Sequence, residues 1–274
     1  MSDIAGLSKE SREKLARVLR KAEGTISVEQ AAASLGVSRK ETAKKLSQWA
    51  QQGWLSRVRR GLYVPVPLES KSADVALEDP WIIAERLFSP CYIGGWSAAE
   101  HWDLTEQIFR SIMVMTTKKP RNRRPVFKGT AFVLRSISPD AFFGTKPIWR
   151  GPVKVNISDP TRTVLDMLSD PSLGGGLRPS TDVLRAYLKS SSKDLDMLVA
   201  FAGRLGNGAV YKRLGFLLER FVPDEKAIIE KCRARISMGN AKLDPALPSK
   251  RLVTRWRLWV PDNWMREQKR DQPA

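Results

Sequence analysis

Three segments with helical spacing of apolar residues, separated by short turns, fill residues 8–53 and constrain the fold more than any other feature of the chain. Ser8, Ser27 and Ser38 precede these segments at positions where a side-chain oxygen caps a helix. Gly36 follows the second segment, where a left-handed backbone conformation would close a helix. Glu41 lies three residues after Ser38 and completes a capping box. A helix, a short glycine turn and a second helix predict a helix-turn-helix unit.

Two short β-prone runs follow, Trp54–Val58 and Leu62–Val64, joined around Arg59, Arg60 and Gly61. This hairpin predicts the wing of a winged helix-turn-helix domain. The third helix is expected to bury Ala43, Leu46, Trp49 and Ala50 and to leave its cations on the outside.

Such a helix can lie in the major groove of duplex DNA, with the wing at a flanking backbone or minor groove. The candidate DNA-binding residues are Ser38, Arg39, Lys40, Thr42, Lys44, Lys45, Gln48, Arg57, Arg59 and Arg60. The alternative is a bundle of three small helices that binds nothing.

The length of 274 residues predicts two domains, and 42% hydrophobic content with nine Trp and nine Phe is enough for a buried core. We expect a winged-helix domain over 1–68, a linker over 69–78, and a larger mixed α+β domain over 79–274. Glycines 174–176 suggest a subdivision of the larger domain near 170–180. The fold class is therefore α+β. Alternation of arginines with apolar residues over 251–260 predicts one strand with a cationic face.

The formal net charge of +18 favours polyanionic partners, and it is unevenly distributed. Residues 110–154 hold 11 Lys and Arg against one acid, whereas residues 71–109 hold two against seven. The basic loop at 118–124 is expected to project into solvent. The secondary basic surface consists of Lys118, Lys119, Arg121, Arg123, Arg124 and Lys128. Its possible targets are DNA beyond the core site, an acidic face of a protein partner, or RNA.

No apolar run reaches the ~18 residues of a membrane span, and the N-terminus is polar, so we expect a cytoplasmic protein without a membrane partner. Its two cysteines, Cys91 and Cys232, cannot build a disulfide framework.

Catalytic chemistry is poorly supported by the residues present. The single histidine, His101, stands beside Trp102 and is expected to be a packed structural residue. Ser97 lies in Gly-Trp-Ser-Ala-Ala, which lacks the final glycine of a nucleophile elbow. The two cysteines and His101 are too few for a structural zinc site, and no phosphate-binding loop motif is present. Asp140 is the one acid of the most basic segment, too few for a metal-dependent nuclease. We therefore expect no catalytic residues, metal or cofactor.

The string Arg213-Leu-Gly-Phe-Leu-Leu-Glu219 is distinctive, because a helix interior rarely contains a glycine without a packing reason. With it, the chain resembles the AbiEi antitoxins of type IV toxin–antitoxin systems, which are associated with abortive phage infection. Further strings that carry the resemblance are Arg60–Val64, Tyr92–Ala99, Ile157–Asp166, the joint after Pro171, and Trp259–Asn263. Thr161-Arg162 departs from the Glu-Lys pair usual in the family, and no role is transferred to these two residues.

The resemblance implies an N-terminal domain that binds inverted repeats in its own promoter and represses the operon. It implies a C-terminal domain that neutralises a nucleotidyltransferase-type toxin, by direct or indirect action. Two other functions stay open at this point. One is a nuclease targeted by the winged helix, and the other is a plain regulator whose second domain senses a small ligand.

Overall fold

A computed structural model describes residues 6–22, 24–66, 79–151, 153–171, 175–262 and 264. The predicted linker at 69–78 and Gly174 lie outside the described residues. The chain is mixed α+β, as predicted. Its helices are α1 (Lys9–Arg20), α2 (Val28–Leu35), α3 (Arg39–Gln51), α4 (Pro80–Phe88), α5 (Gly95–His101), α6 (Pro160–Ser169), α7 (Leu177–Lys189), α8 (Leu195–Arg204), α9 (Gly208–Phe221) and α10 (Lys226–Arg233).

Within the described residues, the strands form three sheets. They are β1 (Ile26–Ser27), β2 (Leu55–Arg59), β3 (Leu62–Pro65), β4 (Cys91–Ile93), β5 (Ser111–Thr116), β6 (Val126–Phe127), β7 (Thr130–Ser136), β8 (Thr145–Arg150), β9 (Val153–Ser158), β10 (Ala241–Lys242), β11 (Arg251–Val253) and β12 (Leu258–Val260). The sheet orders are β1-β3-β2, β6-β7-β5-β4-β9-β8 and β10-β12-β11. Within the largest sheet, β4 runs parallel to β9, with Ile93 opposite Ile157.

The first three helices and the first sheet form a winged helix-turn-helix domain. Ser8, Ser27 and Ser38 cap α1, α2 and α3 as the sequence predicts. Gly36 ends α2 in the left-handed conformation with φ 68°, which an L side chain would strain. The hairpin of β2 and β3 turns at Gly61, whose φ is 81°.

A small core holds these elements together. It is built from α1, α2, α3 and the sheet, and its buried residues are Leu15, Val18, Ile26, Ala31, Leu46, Trp49, Leu55 and Tyr63. The Trp49 indole nitrogen donates a hydrogen bond to Ser11 Oγ at 2.9 Å and so joins α3 to α1.

Backbone packing divides the whole chain into two compact units. One comprises residues 1–91, 110–135 and 147–156, and the other comprises residues 92–109, 136–146 and 157–274. The second unit has its core between α6, α7, α8, α9 and α10, which the recurrence of apolar residues at helical spacing predicts.

The C-terminal segment differs from the prediction of one strand over 251–260. The structure has a hairpin instead, in which β11 pairs antiparallel with β12 and Val253 lies opposite Leu258. A 3-10 turn over Thr254–Trp256 reverses the chain, and Arg257 adopts a left-handed conformation with φ 49°. Trp256 is fully buried by this turn. The burial of the Trp256 indole therefore outweighs the alternating pattern that predicted one continuous strand.

The Arg213–Glu219 string forms part of α9, and Gly215 has the packing reason that a glycine inside a helix predicts. A Cβ on residue 215 would lie 2.2 Å from the Trp256 ring. The Trp256 indole nitrogen donates to Glu219 Oε2 at 2.6 Å, one turn further along the same helix. The string therefore builds the slot and the hydrogen-bond acceptor that hold Trp256.

Arg213 opens the same string and is almost fully buried. Its guanidinium donates to the carbonyls of Leu168 and Ser169 at 2.9 and 3.0 Å, at the C-terminal end of α6. It also donates to the carbonyls of Lys242 and Leu243 at 2.9 to 3.1 Å. Burial lowers the pKa of Arg213, and these hydrogen bonds compensate the buried charge. One side chain thus joins α9, α6 and the segment that begins at β10.

Candidate nucleic-acid interface

Helix α3 presents a polar face to solvent opposite its buried face. Lys40, Lys44 and Gln48 are exposed and follow one another at four-residue spacing, so they share one stripe of the helix. Leu46 and Trp49 are buried on the other side. The helix has 13 residues and is therefore about 20 Å long, a length that fits along a DNA groove.

Thr42 is a correction to the predicted set of DNA-binding residues. Its side chain is fully buried, and its Oγ1 donates to the carbonyl oxygen of Ser38 at 2.9 Å. Thr42 takes the inward position predicted for Ala43, which is half-buried. A side chain without exposed surface cannot contact DNA, so Thr42 is removed from the set.

Ser38 and Glu41 fix the first turn of α3. Ser38 Oγ accepts from the backbone N–H of Glu41 at 3.3 Å, and Glu41 Oε2 accepts from the backbone N–H of Ser38 at 3.1 Å. The Ser38 hydroxyl also donates to Glu41 Oε2 at 2.7 Å. These hydrogen bonds hold the pKa of Glu41 below its ordinary value, since they favour the carboxylate. The predicted capping box is therefore formed.

Arg39 is the one predicted DNA-binding residue whose charge is paired with an acid of α2. Its guanidinium forms a salt bridge with Glu29, and both side chains are well exposed, at 70% and 59%. An ion pair so open to water contributes ~0–1 kcal/mol. The pair therefore leaves the Arg39 guanidinium accessible, although a carboxylate stands beside it.

The wing carries the other predicted cations, and Arg57, Arg59 and Arg60 are all exposed. A register shift between Arg57 and Arg59 interrupts the pairing of β2 with β3. Such irregularities increase the local twist of a strand and re-aim its side chains.

The cations of this surface other than Arg39 are available to phosphate. Among the residues that the structure describes, Lys40, Arg57, Arg59 and Arg60 form no salt bridge. Lys44 is exposed and Lys45 is half-buried, and both lie close enough to Glu41 to lower its pKa further. We call the exposed or half-buried set Ser38, Arg39, Lys40, Lys44, Lys45, Gln48, Arg57, Arg59 and Arg60 the helix–wing surface.

The predicted basic loop follows β5 and precedes β6. Lys118, Lys119, Arg121, Arg123 and Arg124 are exposed. Lys128, the sixth predicted member, is half-buried in the turn between β6 and β7.

Backbone hydrogen bonds hold this loop against the neighbouring strand. The N–H of Leu134 in β7 donates to the carbonyl of Arg123 at 2.8 Å, and the N–H of Phe132 donates to that of Pro125 at 2.9 Å. The basic loop is therefore anchored along its second half.

The residues considered for catalysis are not arranged as a site. Ser97 is buried in α5, and Asp140 is exposed in a 3-10 turn. His101 is exposed, with its ring edge-on to Trp102 at 4.7 Å, so the expectation of a packed histidine is wrong. Within the described residues, no group of three His, Cys, Asp or Glu side chains could hold a metal ion.

A buried polar cluster in the second unit was missed from the sequence. Arg162 Nε donates to Asp166 Oδ1 at 2.8 Å, and its Nη2 donates to Tyr92 Oη at 2.8 Å. Tyr92 in turn donates to Asp166 Oδ2 at 3.1 Å. Burial raises the pKa of Asp166, and the adjacent guanidinium opposes that rise. The spacing of four residues between Arg162 and Asp166 on one helix was the available signal.

Three of the resemblance strings meet in this region of the second unit. Tyr92–Ala99 supplies the phenol of the cluster, and Ile157–Asp166 supplies the ion pair. Arg213 then holds the end of the same helix. These segments, far apart in sequence, form one structural framework.

In the described part of the chain, no helix is long and apolar enough to cross a membrane.

Together these features define the class of a protein with an N-terminal helix-turn-helix domain and a larger α+β part. Residues 13–66 match the family model described as "Transcriptional regulator, AbiEi antitoxin". The match confirms the predicted resemblance to the AbiEi antitoxins over this segment.

One solved structure with a similar fold is that of the RV2827C protein from Mycobacterium tuberculosis. The similarity has a TM-score of 0.62 at 14% sequence identity and covers 94% of this chain and 93% of that chain. At this identity the likeness shows the fold alone. No curated protein matches the chain.

Proposed function

We propose that this protein is a DNA-binding autorepressor and antitoxin that acts without catalysis. Its helix–wing surface would bind inverted repeats in its own promoter, and its C-terminal domain, residues 79–274, would neutralise a nucleotidyltransferase-type toxin. The observation that carries the DNA-binding part is the outward stripe of α3 beside three exposed wing arginines. The family description of residues 13–66 as a transcriptional regulator supports the same conclusion.

The roles within the helix–wing surface follow from position. Arg39 and Lys40 lie in the first turn of α3, the part of a recognition helix that contacts base edges. Lys44 and Arg59 lie further along the helix and on the wing, where phosphates are within reach. Arg39→Ala and Lys40→Ala should therefore weaken operator preference, while Lys44→Ala and Arg59→Ala should weaken binding to all duplex DNA about equally.

Gel shifts with promoter and random duplexes, at several salt concentrations, test this assignment. A base-contact variant should lose about 1–3 kcal/mol on the promoter and much less on random DNA. Lys189→Ala, an exposed cation of α7 in the other unit, is the matched control and should bind as the wild type does. Equal losses on both duplexes for all four variants would refute the assignment of base contacts.

The antitoxin part rests on the family resemblance and on the framework formed by its strings. Tyr92, Arg162 and Arg213, each from a different string, contact one another or the same helix. The test is co-expression with the product of the adjacent gene, if it encodes a nucleotidyltransferase-like protein. Growth should recover with the wild-type chain and with Arg59→Ala, which should lose repression only. Failure of the wild type to restore growth would contradict the antitoxin role and leave the repressor role standing.

A further inference from the structure

One end of the six-stranded sheet brings two exposed segments of the first unit together. The backbone N–H of Thr117 donates to the carbonyl of Pro90 at 3.1 Å, so the basic loop leaves β5 beside the start of β4. Because β4 is parallel to β9, the start of β9 lies at the same end of the sheet. β8 neighbours β9 and ends shortly before β9 begins, so Trp149 and Arg150 also lie at that end.

The distance across this end is short. β5 and β8 are separated by two strands in the sheet order. At a strand spacing of ~4.8 Å, they are therefore about 15 Å apart. A flexible polymer only a few units long could contact both segments.

The two segments themselves carry charge of one sign. Residues 110–135 and 147–156 contain ten Lys and Arg and no Asp or Glu. Besides Lys118, five exposed cations lie in the loop that leaves β5 or at the start of β9, namely Lys119, Arg121, Arg123, Arg124 and Lys154. None of the five forms a salt bridge with any residue that the structure describes. Arg150 is excluded, because it pairs with Asp79 and lies over the Trp81 ring.

Trp149 adds an exposed aromatic surface to these cations. Its side chain is 69% exposed at the end of the edge strand β8. Leaving a large indole in water is unfavourable, since burying it against a partner would recover apolar area. An exposed aromatic ring among cations is the combination that binds unpaired bases and their phosphates.

We propose that these six residues, the sheet-end surface, bind single-stranded nucleic acid. The arginines and lysines would contact successive phosphates, and a base would stack on Trp149. Duplex DNA satisfies the cations equally well, but its stacked bases offer no face to the indole. Trp149 therefore favours a single strand over a duplex. This activity is separate from the promoter binding proposed for the helix–wing surface.

The experiment is fluorescence anisotropy of the full chain with labelled 20-nucleotide oligo(U), oligo(dT) and a 20-base-pair duplex. Trp149→Ala should weaken binding of the single strands by about 5-fold or more, the loss of one stacked base, and leave the duplex unchanged. Trp149→Phe should retain most of the affinity. The triple variant Arg121→Ala/Arg123→Ala/Arg124→Ala should also weaken single-strand binding. The slope of log affinity against log salt concentration should become shallower by about 2 for this variant. Lys189→Ala/Lys226→Ala/Arg233→Ala removes three exposed cations of the other unit and is the control.

Loss of single-strand affinity in both the tryptophan and the arginine variants, with the control unchanged, supports the proposal. Comparison of oligo(U) with oligo(dT) then shows whether RNA or DNA is preferred. Unchanged single-strand binding by Trp149→Ala overturns it. So does an equal loss on single strands and duplex in the tryptophan variant, which would show that no base stacks on the indole. Lys44→Ala separates the two surfaces, because it should weaken the duplex alone.

Discussion

The contact between Gly215 and Trp256 leaves no room for a larger residue at position 215. The ring atoms of Trp256 occupy the place of a Cβ, and the ring itself is fully buried. Alanine is favoured over glycine in a helix interior by about 1 kcal/mol, so propensity alone would favour a change at this site. At position 215, the cost of overpacking against Trp256 therefore opposes the higher helix propensity of alanine.

Gly215→Ala should be destabilising despite that preference. Overpacking of a well-filled core costs about 1–3 kcal/mol, and here a rigid indole must move. The expected decrease in Tm is about 2–4 °C for each kcal/mol in a protein of this size, measured by thermal unfolding. Gly239→Ala is the control, because a Cβ there would meet no atom within 4 Å. A variant at position 215 as stable as the wild type would contradict the packing argument.

The Arg162–Asp166 pair is a buried charge pair whose members depend on each other. The side chains are 1% and 4% exposed. Asp166→Asn removes the countercharge and leaves a guanidinium uncompensated in the interior, which typically costs about 3–5 kcal/mol. Denaturant unfolding should show the loss, and Asp182→Asn on the exposed side of α7 should not. A loss below about 1 kcal/mol at position 166 would mean that the pair is dispensable.

At the scale of elements, the N-terminal domain could be predicted from local signals. Serine caps, the left-handed Gly36 and the hairpin glycine act within a few residues, so sequence alone identifies them. Elements fixed by distant packing could not be predicted. The turn at Trp256 exists because α9 offers a glycine slot 41 residues earlier in the chain. For the same reason, the exposure of Trp149 required knowledge that β8 is an edge strand.

The same distinction between local and distant signals applies to the candidate site. The outward positions of the cations of α3 could be predicted, because helical spacing separates outer from inner positions. Thr42 was misplaced by one position on the helix, since a threonine can bury its methyl group and donate its hydroxyl to the preceding turn. The inward stripe is then Thr42, Leu46 and Trp49.

Ser38→Ala should loosen the first turn of α3, since it removes the acceptor of the capping box. The expected loss of helix stability is about 1 kcal/mol. Where α3 opens locally, this loss corresponds to about 5-fold faster amide hydrogen exchange. Exchange mass spectrometry of a peptide covering 36–52 would report it. Ser47→Ala, in the middle of the same helix, should exchange no faster than the wild type. Equal protection in both variants would show that the cap does not stabilise the helix.

At the scale of the whole molecule, the net charge of +18 leads us to expect phosphate contact as the largest contribution to the proposed nucleic-acid binding. If about six phosphates are neutralised at the helix–wing surface, the log–log dependence of duplex affinity on salt should have a slope near −5. Titrations between 50 and 200 mM salt should then show a loss of about 1,000-fold. Lys44→Ala should reduce the slope by about 1. A slope near zero would exclude electrostatic binding as proposed.

Within the helix–wing surface, Glu29 would compete with DNA for the Arg39 guanidinium. Its carboxylate already holds the Arg39 guanidinium and also repels any approaching phosphate. A single phosphate offers Arg39 little more than Glu29 does, whereas a guanine edge offers two acceptors in the geometry of the guanidinium fork. Glu29→Gln should therefore tighten binding to random duplexes more than to the promoter, which filter binding on both duplexes would measure. If the helix–wing surface binds DNA as proposed, this one acidic residue would release non-specific genomic DNA while a matched sequence stays bound.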